Sequence, residues 1–143
     1  LPLVIGYSEI KADTVSLIEK VAEKAKRETD VVENIYNIME KIVRLARPRL
    51  AESNWQKLGA LMNENQTLLQ SLGVSTEKLD AMINAANNAD AYGSKLSGAG
   101  GGDCMIALAA NSTKQTVQRA IEKVGGEIIE VETNVGGVRV EKS

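Results

Sequence analysis

Leu3-Val4-Ile5-Gly6-Tyr7 opens the chain as a short apolar run of strand length, ended by the polar stretch from Ser8 to Thr14. Helical spacing then takes over. Val15, Ile18, Val21, Ala22 and Ala25 fall on one stripe, with Asp13 or Thr14 as the N-cap. A second helix is predicted from Thr29 or Asp30, where Asp30-Val31-Val32-Glu33 is a capping-box analogue. Its apolar face is expected to be Val31, Ile35, Ile38, Ile42 and Leu45, and Pro48 is expected to close it. Ser53-Asn54-Trp55-Gln56 predicts the start of a third helix, with Leu58, Met62, Asn65, Leu69 and Leu72 as its stripe and Gly73 as its C′ residue. Asn65 interrupts that stripe, and a buried amide needs partners, so it is expected to bond a neighbouring loop or helix end. Ser75 or Thr76 caps a fourth helix that turns Leu79, Met82, Ile83 and Ala86 inward.

The second half changes period. Cys104 to Ala109 is continuously apolar, as in a strand buried on both faces. Ser112-Thr113-Lys114-Gln115 predicts the start of a last helix, which stops at Gly125-Gly126. Glu127 to Glu132 and Val135 to Val140 form a hairpin candidate across Asn134, with a bulge or bend at Gly136-Gly137. A short strand from Ser94 to Ser97, paired with Cys104 to Ala109, completes the order. The prediction is an α+β fold, a ferredoxin-like βαββαβ arrangement with a mostly antiparallel sheet and additional helices on one face. No repeat, low-complexity segment or internal linker divides residues 1–143, so a single domain is expected.

Composition narrows the chemistry. The net charge of −2 has both signs interspersed, which points to neither nucleic acid nor a membrane surface as partner. No apolar run approaches the length that spans a bilayer, and no secretory leader is read. Cys104 is the single cysteine, which excludes an internal disulfide and fits a cytoplasmic setting. With no histidine, Ser-His-Asp and Cys-His mechanisms are excluded, and no metal site is expected. Leu1 starts directly on an apolar strand without Met, as expected of a piece of a longer polypeptide.

The stretch of greatest chemical interest is Gly93-Ser94-Lys95-Leu96-Ser97-Gly98-Ala99-Gly100-Gly101-Gly102-Asp103-Cys104-Met105. Four glycines in the five positions from Gly98 permit positive φ, and their N–H groups can line an anion-binding concavity. The general phosphate patterns do not fit. A P-loop needs Lys followed by Ser or Thr where Asp103-Cys104 stands, and a dinucleotide fingerprint starting at Gly98 fails at Asp103. On its residues alone the loop reads as a ligand-facing turn rather than a connector.

Lys95-Leu96-Ser97-Gly98-Ala99-Gly100-Gly101-Gly102-Asp103-Cys104 resembles the third motif of the small-molecule kinase superfamily of galactokinase, homoserine kinase, mevalonate kinase and phosphomevalonate kinase. Leu61-Met62-Asn63-Glu64-Asn65-Gln66, Leu72-Gly73-Val74-Ser75 and Thr133-Asn134-Val135-Gly136-Gly137-Val138 support it, as does Leu3 to Ser8. Within the superfamily the resemblance is nearest to mevalonate kinases of the archaeal type. Asp103 departs from many of these, which carry another glycine there, and is also similar to phosphomevalonate kinase.

The resemblance covers only the C-terminal, substrate-side domain of such an enzyme. It implies ATP and Mg2+ as cofactors, held mainly by an N-terminal half that also carries the catalytic groups. It implies mevalonate as substrate, that N-terminal half as partner, and no catalytic residue in this chain. An apolar face left open without that half is expected to allow a homodimer. By resemblance, Ser97, Gly98, Ala99, Gly100, Gly101 and Gly102 form the phosphate and substrate loop, and Thr14 faces the substrate. On residues alone Thr14 is a helix cap, and Ser97 is either a hydroxyl contact or a local turn bond. Lys11 and Lys95 are expected to be solvated surface lysines, Asp103 a loop cap, and Cys104 a packed small side chain. The other class kept open is a non-catalytic ferredoxin-like domain that binds a ligand or mediates assembly.

Overall fold

Strand β1 (Leu3–Tyr7) lies inside a four-stranded sheet, antiparallel to β3 (Cys104–Leu108) on one side and to β4 (Glu127–Ile129) on the other. β2 (Gly93–Ser97) pairs with the far side of β3, giving the order β2-β3-β1-β4. This is the βαββαβ arrangement, with four helices in the first crossover. The helices are α1 (Thr14–Arg27), α2 (Thr29–Ala51), α3 (Trp55–Ser71), α4 (Glu77–Asn88) and, before β4, α5 (Lys114–Lys123). The computed structural model describes residues 1–141.

The register sorts the strand residues between two faces. Val4, Leu96, Met105 and Ala107 turn toward α4 and α5 and join Leu79, Met82, Val117 and Ile121 in the core. Each fully buried aliphatic chain of this size stabilises the fold by about 2 kcal/mol relative to exposure. Gly6 is a tight point of that layer. A Cβ there would meet Ile121 Cγ2 and Met82 Cε at 3.0 Å. On the opposite face Ile5, Tyr7, Lys95, Cys104 and Ile106 are only half-buried. β3 is therefore enclosed on both sides only at its end, where Leu108 on that second face is buried, and not along its whole length as its apolar run suggested; a continuous apolar run does not reveal how far the second face has a cover.

Helix α3 packs along the β2 edge of the sheet, α2 packs on α3, and α1 packs on α2. The closest approach is between backbones. A Cβ on Gly93 would lie 1.9 Å from the Gly59 carbonyl oxygen, and one on Gly59 would lie 2.3 Å from the Tyr92 carbonyl. Only glycine at both positions lets the helix and strand touch.

Several local expectations shift. α2 continues through Pro48 to Ala51, because a proline this near the helix end removes one backbone bond while the Glu52 N–H still reaches the Pro48 carbonyl. Its buried face is Val32, Ile35 and Ile42, with Met39 half-buried, whereas Val31, Ile38 and Leu45 are exposed. In α1 the inward residues are Leu17, Val21 and Ala25, and Val15 and Ile18 face solvent. Both helices carry apolar arcs wider than the face they bury, so spacing alone chose the wrong flank. Asp13, Asn54 and Thr76 cap α1, α3 and α4 through side-chain oxygens; Asn54 thus replaces Ser53, the first residue of the expected box, and the boxes expected for α2 and α5 make no cap bond. The C-terminal hairpin does not form. β4 pairs with β1 instead, and residues 130–141 are exposed without regular structure.

Candidate functional site

The glycine loop joins β2 to β3, so its two ends are fixed by the Ser97–Cys104 pairing at the end of that ladder. Gly98, Gly100, Gly101 and Gly102 all have positive φ, at 84°, 86°, 73° and 147°. Three of them also press on the protein itself. A Cβ on Gly100 would lie 2.1 Å from the Val74 carbonyl oxygen, and one on Gly102 would lie 2.4 Å from the Ile10 carbonyl oxygen. A Cβ on Gly101 would meet Leu17 Cδ1 at 2.5 Å. Gly98 differs, with nothing within 4 Å of such a Cβ. Gly98 needs glycine for its backbone angle alone; the others need it for space as well.

Hydrogen bonds fix the loop to two neighbouring turns. The Gly101 N–H donates to the Val74 carbonyl at 2.7 Å, and the Asp103 N–H donates to the Ile10 carbonyl at 2.7 Å. The Ser8 N–H donates back to the Asp103 carbonyl at 2.8 Å. The Asp103 carboxylate accepts from the Ala12 N–H at 3.3 Å, which is the loop-capping role expected of it. The Gly101 amide is thus committed to the scaffold. The N–H groups of Gly98, Ala99, Gly100 and Gly102 make no hydrogen bond among the described residues; Gly98 is exposed and Ala99 half-buried, whereas Gly100 and Gly102 are buried.

Two clefts flank the loop and share Leu17 and Val74. One, of about 250 Å³, is polar and includes Asp13, Ser16, Lys20, Ser75 and Gly101. The other, of about 370 Å³, is mainly apolar, with Ile18, Val21, Tyr36 and Ala99 on its walls. Thr14 begins α1 beside Asp13 and is exposed. Because Asp13 supplies the cap, accepting from the Ser16 N–H at 3.2 Å, the Thr14 hydroxyl is not the capping group. The Ser97 hydroxyl is half-buried and forms no bond among the described residues, so the local turn bond weighed for it is absent.

Lys95 is not the solvated lysine expected. It is half-buried, its ammonium donates to the Leu96 carbonyl at 2.7 Å, and burial pushes its pKa below the ordinary lysine value. Lys11 is exposed. Burial, and then the neighbouring Asp103 charge, pushes the Cys104 thiol up, so it is a poor nucleophile at neutral pH.

Sequence reasoning missed the amides that hold the loop's strand. β2 is an edge strand, and the Ser94 N–H finds the Asn63 side-chain oxygen at 2.9 Å while the Leu96 N–H finds that of Gln66 at 2.9 Å. Asn65, the amide singled out from the apolar stripe, forms no such bond among the described residues and lines the groove between α2 and α3 instead. The available signal was that Asn63 and Gln66 stand three apart, on one side of α3.

The chain belongs to the family described as GHMP kinases C terminal, whose pattern matches residues 46–127. Among curated relatives, the mevalonate kinase of Pyrococcus furiosus is 37% identical over 147 aligned residues, covering 99% of this chain and 44% of that protein. The mevalonate kinase of Methanothermobacter thermautotrophicus is 43% identical over 105 residues, covering 73% and 35%. The crystal structure of L. major mevalonate kinase in complex with R-mevalonate is 32% identical and superposes with a TM-score of 0.77 over 85% of this chain and 36% of that one. Streptococcus pneumoniae phosphomevalonate kinase, 21% identical with a TM-score of 0.78, shares the fold. The chain spans less than half the length of the curated relatives it matches.

Proposed function

We propose that this chain is the C-terminal, substrate-side domain of an ATP-dependent kinase that phosphorylates the primary hydroxyl of mevalonate. The observation that carries this reading is the loop itself. The glycine turn is held in place between two clefts, with the N–H groups of Gly98, exposed, and Ala99, half-buried, left without a partner among the described residues, within a fold whose relatives over 99% of its length are mevalonate kinases. Phosphoryl transfer spreads negative charge over the transferred oxygens, and fixed N–H dipoles stabilise that charge without reorganising. In this reading Gly98 and Ala99 supply those dipoles, while Gly101 anchors the turn. The Ser97 and Thr14 hydroxyls, neither used for capping or turn formation, contact the substrate.

ATP and Mg2+ belong to the same proposal. No group of three or more acidic, histidine or cysteine side chains that could hold a metal occurs among the described residues. Magnesium is usually held by one or two carboxylates together with substrate phosphates, and in this reading the ion sits mainly with the N-terminal half and the ATP phosphates. The half-open sheet face around Ile5, Tyr7 and Ile106 offers an apolar surface for that half. No helix among the described residues is long and apolar enough to cross a membrane.

Phosphomevalonate is the alternative substrate suggested by Asp103. Its carboxylate is engaged with the Ala12 N–H, which accounts for the residue as a loop cap, and mevalonate is supported by the curated relatives over 99% of the chain, which are mevalonate kinases. A substrate panel on the full-length enzyme carrying this chain tests the reading. ADP release is expected with mevalonate and not with phosphomevalonate or galactose; the reverse preference would overturn it.

A further inference from the structure

Gln66 is 4% exposed and joins the two walls that hold the glycine loop. Its side-chain oxygen accepts from the Leu96 N–H at 2.9 Å, one residue before Ser97 and two before the loop begins. Its amide nitrogen donates to the Ser75 hydroxyl at 3.0 Å and approaches Asp80 Oδ1 at 3.4 Å. Ser75 in turn donates to Asp80 at 2.7 Å. Ser75 directly follows Val74, whose carbonyl receives the Gly101 N–H and sits where a Gly100 Cβ would be. One buried amide therefore spans from the strand that feeds the loop to the turn that supports its middle. Asn63 makes a comparable bond to the Ser94 N–H, but its other contact is Asn87 and it has no bond to the supporting turn.

From this geometry we infer that Gln66 is a positioning residue for the glycine loop. It sets the spacing between β2 and the Val74–Ser75 turn and thereby the direction of the free N–H groups of Gly98 and Ala99. The oxygen and nitrogen of the amide have opposite duties, acceptor toward Leu96 and donor toward Ser75 and Asp80, so no other side chain of this length does both at neutral pH. A buried amide with both ends bonded also resists rotation, because a flip would set donor against donor and acceptor against acceptor. The catalytic consequence rests on the kinase reading above; the positioning itself does not.

The test uses this chain and measures amide hydrogen exchange together with urea stability for Gln66→Met, Gln66→Glu and Asn63→Leu. In Gln66→Met, protection at Gly101 should fall by roughly tenfold more than the loss of global stability accounts for. Asn63→Leu should raise exchange at Ser94 and leave Gly101 tracking global stability. Gln66→Glu should lose loop protection at neutral pH, where its carboxylate faces Asp80, and recover it on acidification, when a protonated carboxyl again supplies one donor and one acceptor. A purely structural role would move all amides together in every variant and show no such recovery. Uniform loss in Gln66→Met, or equal loop loss in Asn63→Leu, would overturn the inference. If loop exchange responds as stated but the full-length enzyme fails to phosphorylate mevalonate, the kinase reading falls and the positioning role stands.

Discussion

The β2–loop–β3 segment and the α1–α2 pair are both apolar-rich, yet they are held in opposite ways. Around the loop, glycines at positions 59, 93, 100 and 102 lie where a Cβ would strike backbone atoms, and the edge strand is bonded to side-chain amides. The outer helices have no comparable constraint. α1 has no fully buried residue, and Val15 and Ile18 are 67% and 62% exposed. The site is therefore built from backbone contacts that tolerate almost no added volume, whereas the outer helices rest on side chains that can repack. A loop made largely of glycine needs this. Its own residues contribute little burial, so neighbouring carbonyls and amides must hold its shape.

The contrast is most exposed to test at Gly93. Gly93→Ala places a methyl 1.9 Å from the Gly59 carbonyl oxygen and should cost about 3 kcal/mol or more, read as a lowered urea midpoint. A change well below this would show that α3 and β2 can separate. Within the loop, Gly98→Ala meets no atom but keeps a left-handed φ of 84°, so its cost should be about 1 kcal/mol, with Gly98→Asn cheaper still. Gly100→Ala should cost clearly more than Gly98→Ala, since it adds collision with Val74 to the same backbone strain. Equal costs would mean the loop is free of its supporting turn.

A smaller, pH-dependent effect belongs to Lys95. Its folded-state pKa is depressed by burial, so the charged form is penalised below that value and the penalty disappears as pH rises toward the unfolded lysine value. Lys95→Met should raise stability at neutral pH, and the gain should shrink in alkaline urea titrations. A gain independent of pH would assign it to packing alone. The smallest effect is expected on the outer helices, where Val15→Ser should stay within about 0.5 kcal/mol by thermal unfolding.

Much of this was legible from local pattern. The order of elements as far as β4, the β2–β3 pairing across the glycines, the αL residue Gly73 at the end of α3 and the Thr76 cap of α4 all follow from spacing and residue type. What was not legible depended on what each face meets. Val31, Ile38 and Leu45 have the period of a buried stripe, but the flank that joins the core carries Val32 and Ile35. The loop was recognisable, but the division of labour among its glycines was not. That division depends on Val74, Leu17 and Ile10, which are distant in sequence and bear no mark of the contact. Gln66 was hidden for the same reason, as a polar residue on a helix whose partners lie in β2 and the start of α4.

The central claim is that this chain contributes a preformed substrate-side loop to a kinase whose other catalytic groups lie elsewhere. The direct measurement is ADP release from mevalonate and Mg-ATP by this chain alone, and by a folded chimaera in which it replaces the matching 44% of the Pyrococcus furiosus relative. The account predicts no turnover from the chain alone and mevalonate-dependent turnover from the chimaera. Turnover by the isolated chain, or a folded chimaera without activity, would contradict it.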